Sequence, residues 1–234
     1  MLMIRKAEDR GTSKFSWLNS QHTFSFGGYM DPGNMGFSDL RVINEDHIAP
    51  GTGFGTHGHR DMEIISYVVE GELAHRDSMG TGSVIRPGDI QRMSAGTGVT
   101  HSEMNASKEN PVHLLQIWIL PQDKGIDPGY EQKHFAPKTR QDQWRLVGSQ
   151  DGREGSVTIH QDISLYAATL SEGNLLGYDI SPARKAWLQV VKGAVELDGQ
   201  TVKAGDGVAF ADFDSFVVTS SDRETDVLLF DLAA

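Results

Sequence analysis

The feature of this sequence that most constrains its fold is the regular alternation of turn signals with short β-branched runs. Glycine follows proline or aspartate at many points, and it accounts for 26 of the 234 residues. Apolar runs at 64–69, 112–120, 188–191 and 227–230 lie between such turns. This spacing is typical of an all-β sandwich or barrel. Helical periodicity is weak, and only 137–144 could hold a turn or two.

An internal repeat divides the chain into two similar halves. The segment 67–73, YVVEGEL, is similar to 189–195, QVVKGAV, and each is followed by a second glycine-aspartate turn, at 88–89 and 205–206. Two similarities in the same order favour a duplication. We therefore expect two β domains, at 1–121 and 156–234, joined by a polar region at 122–155 that acts as a linker.

Charge and composition exclude several classes of function. The chain has 21 Lys and Arg against 32 Asp and Glu, so its formal net charge is −11. An acidic chain without a basic patch is not expected to bind nucleic acid directly. The absence of cysteine excludes disulfides, zinc fingers and iron–sulfur clusters, so that any metal must use nitrogen and oxygen ligands.

The sequence gives no sign of membrane association. The first eleven residues lack the apolar core of a signal peptide, and no stretch approaches the roughly 18 apolar residues of a membrane span. We expect no membrane partner and a cytoplasmic location.

Histidines with strand spacing point to a metal site in the first half. His57 and His59 are one residue apart, so in a strand both rings project from the same face. His101 and Glu103 repeat this spacing, and a neighbouring strand could direct them at the first pair. Three imidazoles and a carboxylate suit a divalent transition metal with positions left for water and substrate.

Two glutamates compete for a role beside these histidines. Glu103 is the first candidate for the fourth ligand, and Glu63 is an alternative because it has the same parity as His57 and His59. The other histidines of the chain are expected to be ordinary polar or surface residues. Aromatic side chains at Trp17, Phe24, Phe26 and Tyr29 could belong to the core or line a substrate channel.

The spacing of these residues resembles that of a known family. The pattern Gly51-x5-His57-x-His59-x3-Glu63-x7-Gly71 is similar to the first cupin motif, and Gly98-x2-His101-x3-Asn105 is similar to the end of the second. The Pro-x-Gly that cupins place before the second motif's histidine is replaced by 96–98, GTG. This departure points to the pirin family. The chain also resembles that family in the segments at 22–26, 37–44, 57–71, 93–98 and 101–105.

The resemblance implies a bicupin, in which two β-sandwich barrels face each other and only the N-terminal one holds a metal. The family's ligands carry over to His57, His59, His101 and Glu103, the four residues that the spacing also selects. Sliding the first half onto the second places Asp179 and Ser181 opposite the histidine pair, and Val218 and Ser220 opposite His101 and Glu103. The second barrel is therefore expected to lack a metal site.

The resemblance also implies an activity. Bacterial pirin-like proteins are similar to quercetin 2,3-dioxygenases, which open the central ring of a flavonol with dioxygen and release carbon monoxide. One divalent metal is expected, Fe(II) first, with Ni, Co, Cu, Mn and Zn also compatible with these ligands. Glu103, or Glu63 if Glu103 acts only as a ligand, would accept the proton of the flavonol 3-hydroxyl.

A second interpretation remains open at this point. Members of the pirin family are also described as regulators, so the metal could instead shape a surface for a protein partner. A free cavity beside the metal would favour the enzyme, whereas a filled cavity with an exposed apolar patch would favour the regulator. Another cupin activity, such as sugar isomerisation, would be compatible with the same ligands.

Overall fold

The computed structural model describes residues 2–234, which form 22 β-strands. In chain order they are β1 (Leu2–Arg5), β2 (Gly11–Lys14), β3 (Leu18–His22), β4 (Leu40–Ile48), β5 (Gly53–His59), β6 (Glu63–Glu70), β7 (Leu73–Asp77), β8 (Gly82–Ile85), β9 (Asp89–Ser94), β10 (Val99–Asn105), β11 (Val112–Ile119), β12 (Gly129–His134), β13 (Arg145–Ser149), β14 (Val157–Thr158), β15 (Ile163–Ser171), β16 (Leu175–Asp179), β17 (Arg184–Lys192), β18 (Ala194–Leu197), β19 (Gln200–Lys203), β20 (Gly207–Phe210), β21 (Ser215–Ser220) and β22 (Glu224–Ala233).

Among residues 2–234, helical structure is limited to single turns, which confirms the all-β prediction. Three 3₁₀ turns occur, at Ala7–Asp9, Pro137–Thr139 and Arg153–Gly155. The segment with weak helical potential, 137–144, thus contributes one of them. No helical segment in this part of the chain, 2–234, has the length and hydropathy of a membrane span.

The chain divides into two compact units. We call the first the N-terminal barrel, comprising residues 11–134 and 157–161, and the second the C-terminal barrel, comprising 2–10, 135–156 and 162–234. These units do not follow the boundaries predicted from the internal repeat and the polar region at 122–155. The predicted linker contains β12, which pairs with β9, and β13, which pairs with β15, so its two ends belong to different barrels. Polar composition concealed β12 because it is an edge strand with partly exposed side chains.

The N-terminal barrel is built from two antiparallel sheets. The larger sheet has the strand order β12-β9-β6-β11-β4-β3-β2, and the smaller has the order β5-β10-β7-β8. One buried apolar cluster of this barrel includes Ile48, Val68, Leu73, Ile85 and Leu114. Between this cluster and a second one that contains Ile64 and Met93, several inward positions carry polar side chains, and these form the site described below.

The C-terminal barrel repeats this arrangement. Its larger sheet includes the order β1-β20-β17-β22-β15-β13, and its smaller sheet has the order β16-β21-β18-β19. Gly71 and Gly193 take equivalent positions with φ of +82° and +73°. A Cβ on either would lie 2.7 Å from the carbonyl oxygen of Pro111 or 2.6 Å from that of Glu224. The same left-handed turn at the same close approach supports a duplicated origin of the two halves.

The interior of the C-terminal barrel is apolar. Asn105 pairs with Leu73 and Ser220 with Val195 in equivalent registers. Counting back from these pairs places Phe216 at the position of His101 and Val218 at that of Glu103. Phe216 pairs with Tyr178 just as His101 pairs with His57.

This register corrects the equivalents predicted from the sequence. Tyr178 and Ile180, rather than Asp179 and Ser181, correspond to the histidine pair, because unequal loops shift the offset. Val218 and Ser220, the predicted equivalents of His101 and Glu103, are also wrong. The register places Phe216 and Val218 there, two residues earlier. The ring of Phe216 stacks on Phe210 with centroids 4.3 Å apart, so apolar packing takes the place of ligands.

Candidate metal centre

The three predicted histidines converge inside the N-terminal barrel. His57 and His59 lie on β5, and His101 lies on β10 directly opposite His57. Each histidine offers a ring nitrogen, and the three nitrogens lie within 4.8 Å of one another. The ring centroids are 4.5 Å apart for His57 and His101 and 4.9 Å apart for His59 and His101. The period of two along β5 therefore brings the pair to the same interior point as His101.

Hydrogen bonding orients one ring for coordination. Nδ1 of His57 lies 2.8 Å from the carbonyl oxygen of Gly55, which can only accept, so Nδ1 carries the proton. The Nε2 atom is then left with a free lone pair in the neutral ring. It lies 3.1 Å from Nε2 of His101. Two nitrogens bonded to one metal at about 2.1 Å would lie about 3.0–3.4 Å apart, so this spacing fits a shared ion.

Burial keeps the imidazoles of His59 and His101 neutral. It lowers the pKa of His101 to about 3 and the pKa of His59 to about 4, and in both cases the neighbouring histidines lower it further. Only the neutral form of imidazole can bind a metal, so these rings are ready to coordinate at neutral pH without losing a proton. The donor set therefore fits a divalent transition metal.

Glu103 lies beside the histidines and is held by two hydrogen bonds. Its Oε2 lies 3.9 Å from Nε2 of His101 and accepts a hydrogen bond of 2.8 Å from Nε2 of Gln116. Its Oε1 accepts a bond of 3.3 Å from the hydroxyl of Ser66. Burial, reinforced by the nearby carboxylate of Asp46, raises the pKa of Glu103 to about 7.

Gln116 and Trp118 were not identified from the sequence. The indole Nε1 of Trp118 donates to Oε1 of Gln116 at 3.2 Å, which turns the amide nitrogen of Gln116 toward Glu103. The same indole makes an edge contact with His59, with ring centroids 5.0 Å apart. The signal available in the sequence was only the alternation along β11, which places both side chains on the inward face.

His75 is a fourth interior histidine that the sequence analysis assigned to ordinary positions. It is buried and pairs with Glu103 across β7 and β10. Its Nε2 lies 3.0 Å from Oδ2 of Asp77, and its ring centroid lies 5.4 Å from that of His101. The His-x-Asp spacing of β7 was the signal that could have found it. Its ring nitrogens are not part of the cluster of three.

Glu63 lies on the opposite face of the sheet, which contradicts its candidacy as ligand or base. Ser66 points to Glu103, and Glu63, three residues earlier on β6, therefore points away. Its Oε2 accepts a hydrogen bond of 3.0 Å from the backbone N–H of His160. The parity argument failed because Asp61, with φ of +49°, breaks the strand between His59 and Glu63.

A cleft is linked to the cluster through Trp118, although none of the three histidines lines it. It has a volume of about 440 Å³ and includes Phe26, Tyr29, Met62 and Trp118 in its lining. Trp118 therefore contacts both the cleft and His59. Of the four aromatic residues singled out in the sequence, Phe26 and Tyr29 line this cleft. Phe24 is buried, and Trp17 packs against the apolar cluster around Ile48.

Comparison with known proteins identifies the family. The family model described as Pirin matches residues 4–119, and that described as Quercetinase C-terminal cupin domain matches residues 146–232. The chain is 48% identical to the quercetin 2,3-dioxygenase of Escherichia coli K12 over 233 residues, 99% of each chain. The chain belongs to the pirin family.

Solved structures agree with this assignment. The crystal structure of the bacterial pirin YhhW from Escherichia coli in complex with nickel(II) has a TM-score of 0.93 and 47% identity. It covers 100% of this pirin-family chain, which in turn covers 99% of that structure. A quercetin 2,3-dioxygenase structure from Acinetobacter baumannii, at 18% identity and a TM-score of 0.77, shares the fold. The bicupin class predicted from the motifs is thereby confirmed.

Proposed function

We propose that this protein is a metal-dependent dioxygenase that opens the central ring of quercetin or a similar flavonol and releases carbon monoxide. The observation that carries the proposal is the convergence of three imidazoles at one point, next to a Trp118 side chain that also lines a cleft. Support also comes from the similarity to the Escherichia coli quercetin 2,3-dioxygenase along the whole chain. The cleft favours an enzyme over the alternative of a purely regulatory metal protein, for which a filled cavity is expected.

The proposed ligands are His57, His59, His101 and Glu103, which would hold one divalent transition metal. Fe(II) is our first candidate because this donor set is close to that of non-haem iron oxygenases. Nickel is the second, since the solved YhhW complex contains nickel(II). A metal held there supplies Lewis acidity that lowers the pKa of the flavonol 3-hydroxyl.

Glu103 is the proposed proton acceptor. Its carboxyl group lies beside the histidines, with Oε2 3.9 Å from Nε2 of His101, so it can accept a proton from a hydroxyl bound at this point. Gln116 and Ser66 hold the carboxylate in place by their hydrogen bonds. Deprotonation gives an electron-rich flavonolate that reacts with dioxygen, and the carbon bearing the 3-oxygen leaves as carbon monoxide.

The cleft provides the proposed binding site for the flat aromatic substrate. Its lining includes the aromatic rings of Phe26, Tyr29 and Trp118 and the thioether of Met62. Aromatic rings stack well on such surfaces and on polarizable sulfur. The indole of Trp118, in edge contact with His59, would orient the substrate toward the metal ligands.

The function is tested by metal analysis and oxygen uptake. We expect one metal per chain and consumption of dioxygen with quercetin, with carbon monoxide detected in the gas phase. His101→Ala should abolish both metal and uptake, whereas His134→Ala, at an exposed histidine paired with Asp89, should change neither. Wild-type protein that contains its metal but consumes no dioxygen with any flavonol would refute the enzymatic proposal.

Glu103→Gln tests the proton acceptor. The amide can still accept the hydrogen bond of Ser66, but it cannot take up a proton. We expect residual metal binding and a loss of turnover of about 100-fold or more, the usual size of a general-base contribution. Turnover close to that of the wild type would assign the proton transfer to another group.

A further inference from the structure

A second cluster of potential ligands lies on the N-terminal barrel, away from the centre described above. It consists of Glu45 and His47 on β4 and His113 on β11. One atom from each, a ring nitrogen or a carboxylate oxygen, lies within 4.8 Å of the other two. Nε2 of His113 is 2.8 Å from Oε1 of Glu45. The rings of His47 and His113 stack with centroids 4.1 Å apart and an angle of 14°.

This cluster faces the other side of the sheet from the central histidines. Gln116 on β11 points inward to Glu103, so His113, three residues earlier, points outward. His47 pairs directly with His113 across β4 and β11, and it shares this outward face. His47 is exposed, and Glu45 and His113 are partly buried. The two clusters are therefore separate sites.

The side chains and their spacing are those of a transition-metal site. Two imidazoles and a carboxylate prefer ions such as Zn²⁺, Ni²⁺ and Cu²⁺. Ligand atoms about 2.0–2.2 Å from one ion lie about 3–4 Å apart, so two ligand atoms at the 4.8 Å limit must approach each other by about 1–2 Å. The exposed ring of His47 can tilt out of the stack to supply this movement, and the net charge of −11 attracts cations to the surface.

We propose that Glu45, His47 and His113 form a second divalent metal site, independent of the central one. The ion replaces the hydrogen bond between His113 and Glu45, and the displaced proton moves to Nδ1 of His113 or to solvent. Because the ligands come from two paired strands, binding joins β4 to β11 and stabilises the barrel. This site goes beyond the proposed dioxygenase activity and does not depend on it.

The barrel supplies a matched control for this proposal. Nδ1 of His134 lies 2.8 Å from Oδ1 of Asp89, the same length as the bond between His113 and Glu45. His134 belongs to neither of the two clusters of three potential ligands found among residues 2–234. A histidine with a carboxylate alone should bind a metal far more weakly than the three-ligand cluster.

The test is calorimetric titration of the whole, chelator-treated protein with Zn²⁺, followed by thermal unfolding with and without the ion. We expect the wild type to bind two equivalents. His47→Ala and His113→Gln should each bind one, or bind the second at least about tenfold more weakly, in line with the loss of a ligand-shell group. The His134→Ala variant should bind two equivalents of Zn²⁺. The His101→Ala variant should still bind the equivalent of Zn²⁺ that is lost in His47→Ala.

The outcomes separate this site from the central one. The proposal is overturned if every equivalent that the wild type binds also survives in both His47→Ala and His113→Gln. Loss of the second equivalent in His134→Ala also overturns it. Quercetin-dependent oxygen uptake by His47→Ala should equal that of the wild type. If the wild type shows no uptake, the proposed dioxygenase activity is refuted, but the proposed second metal site is not.

Discussion

At the scale of single residues, the N-terminal barrel is unusual in burying two carboxyl groups close to each other. Glu103 and Asp46 are both almost fully buried, and the charge of Asp46 contributes to the raised pKa of Glu103. Burial raises the pKa of Asp46 itself to about 6, although Ser20 donates a hydrogen bond to it. Such groups reduce stability when charged, and their presence beside candidate ligands fits a site where function outweighs stability.

Asp46→Asn should stabilise the metal-free protein in a pH-dependent way. A carboxyl whose pKa rises from 3.8 to about 6 on folding favours the folded state below pH 3.8, and this stability is lost as pH rises through 6. The variant should therefore exceed the wild type by up to about 3 kcal/mol at pH 8 and about half of that at pH 5. Urea unfolding at the two pH values measures the difference. An equal gain at both pH values would show that ionisation of Asp46 is not the cause.

At the scale of elements, the metal ligands depend on how closely β5 approaches β10. The register between these strands shifts between His101 and Glu103, which pair with His57 and Phe54. Gly53 lies at the end of this pairing, and a Cβ there would come within 2.3 Å of the carbonyl oxygen of Glu103. Glycine is therefore needed where the two ligand-bearing strands meet.

Gly53→Ala should separate the two strands at the site. The added methyl group meets backbone atoms, which cannot move aside, so we expect a loss of about 1–3 kcal/mol of unfolding free energy. Metal affinity should fall as His57 moves away from His101. Gly55→Ala is the matched control, because a Cβ at Gly55 meets nothing within 4 Å. Urea unfolding and metal titration of both variants give the comparison, and equal behaviour of the two would contradict this view of β5.

At the scale of the whole molecule, the units are interleaved along the chain. The strand β1 begins the sequence, yet it pairs with β20 in the C-terminal barrel. Asp206 fixes this segment, since it accepts hydrogen bonds of 2.7 Å from the backbone N–H of Ala7 and 3.2 Å from Nζ of Lys6. Leu2 and Ile4 pack against the apolar core of the same barrel.

Removal of residues 1–10 should weaken the C-terminal barrel and spare the metal centre. The deletion uncovers the edge of β20 and removes the packing of Leu2 and Ile4, which we expect to cost roughly 3 kcal/mol. Hydrogen exchange at 207–210 should accelerate, while metal content stays at the wild-type level. A shortened chain that loses its metal, with unchanged exchange in β20, would contradict the assignment of this segment.

The sequence by itself determined the properties that depend on local periodicity. Alternation along strands and the glycine turns predicted an all-β fold, and the repeat around Gly71 and Gly193 predicted the duplication. The i, i+2 spacing correctly placed His57 and His59 on one face of a strand, and the pairing of β5 with β10 then brought His101 to them. These predictions succeeded because a strand places residues i and i+2 on the same face whatever surrounds it.

Only the tertiary structure decided which side chains meet across paired strands and which face a side chain takes after a break between strands. The turn at Asp61 sends Glu63 to the opposite face, and the pairing of β11 with its neighbours brings Gln116 to Glu103 and His113 to His47. The chain crosses between barrels where no change of composition marks it. Contacts between residues distant in sequence are set by the register of the whole sheet, and a single sequence does not contain that register in any local pattern.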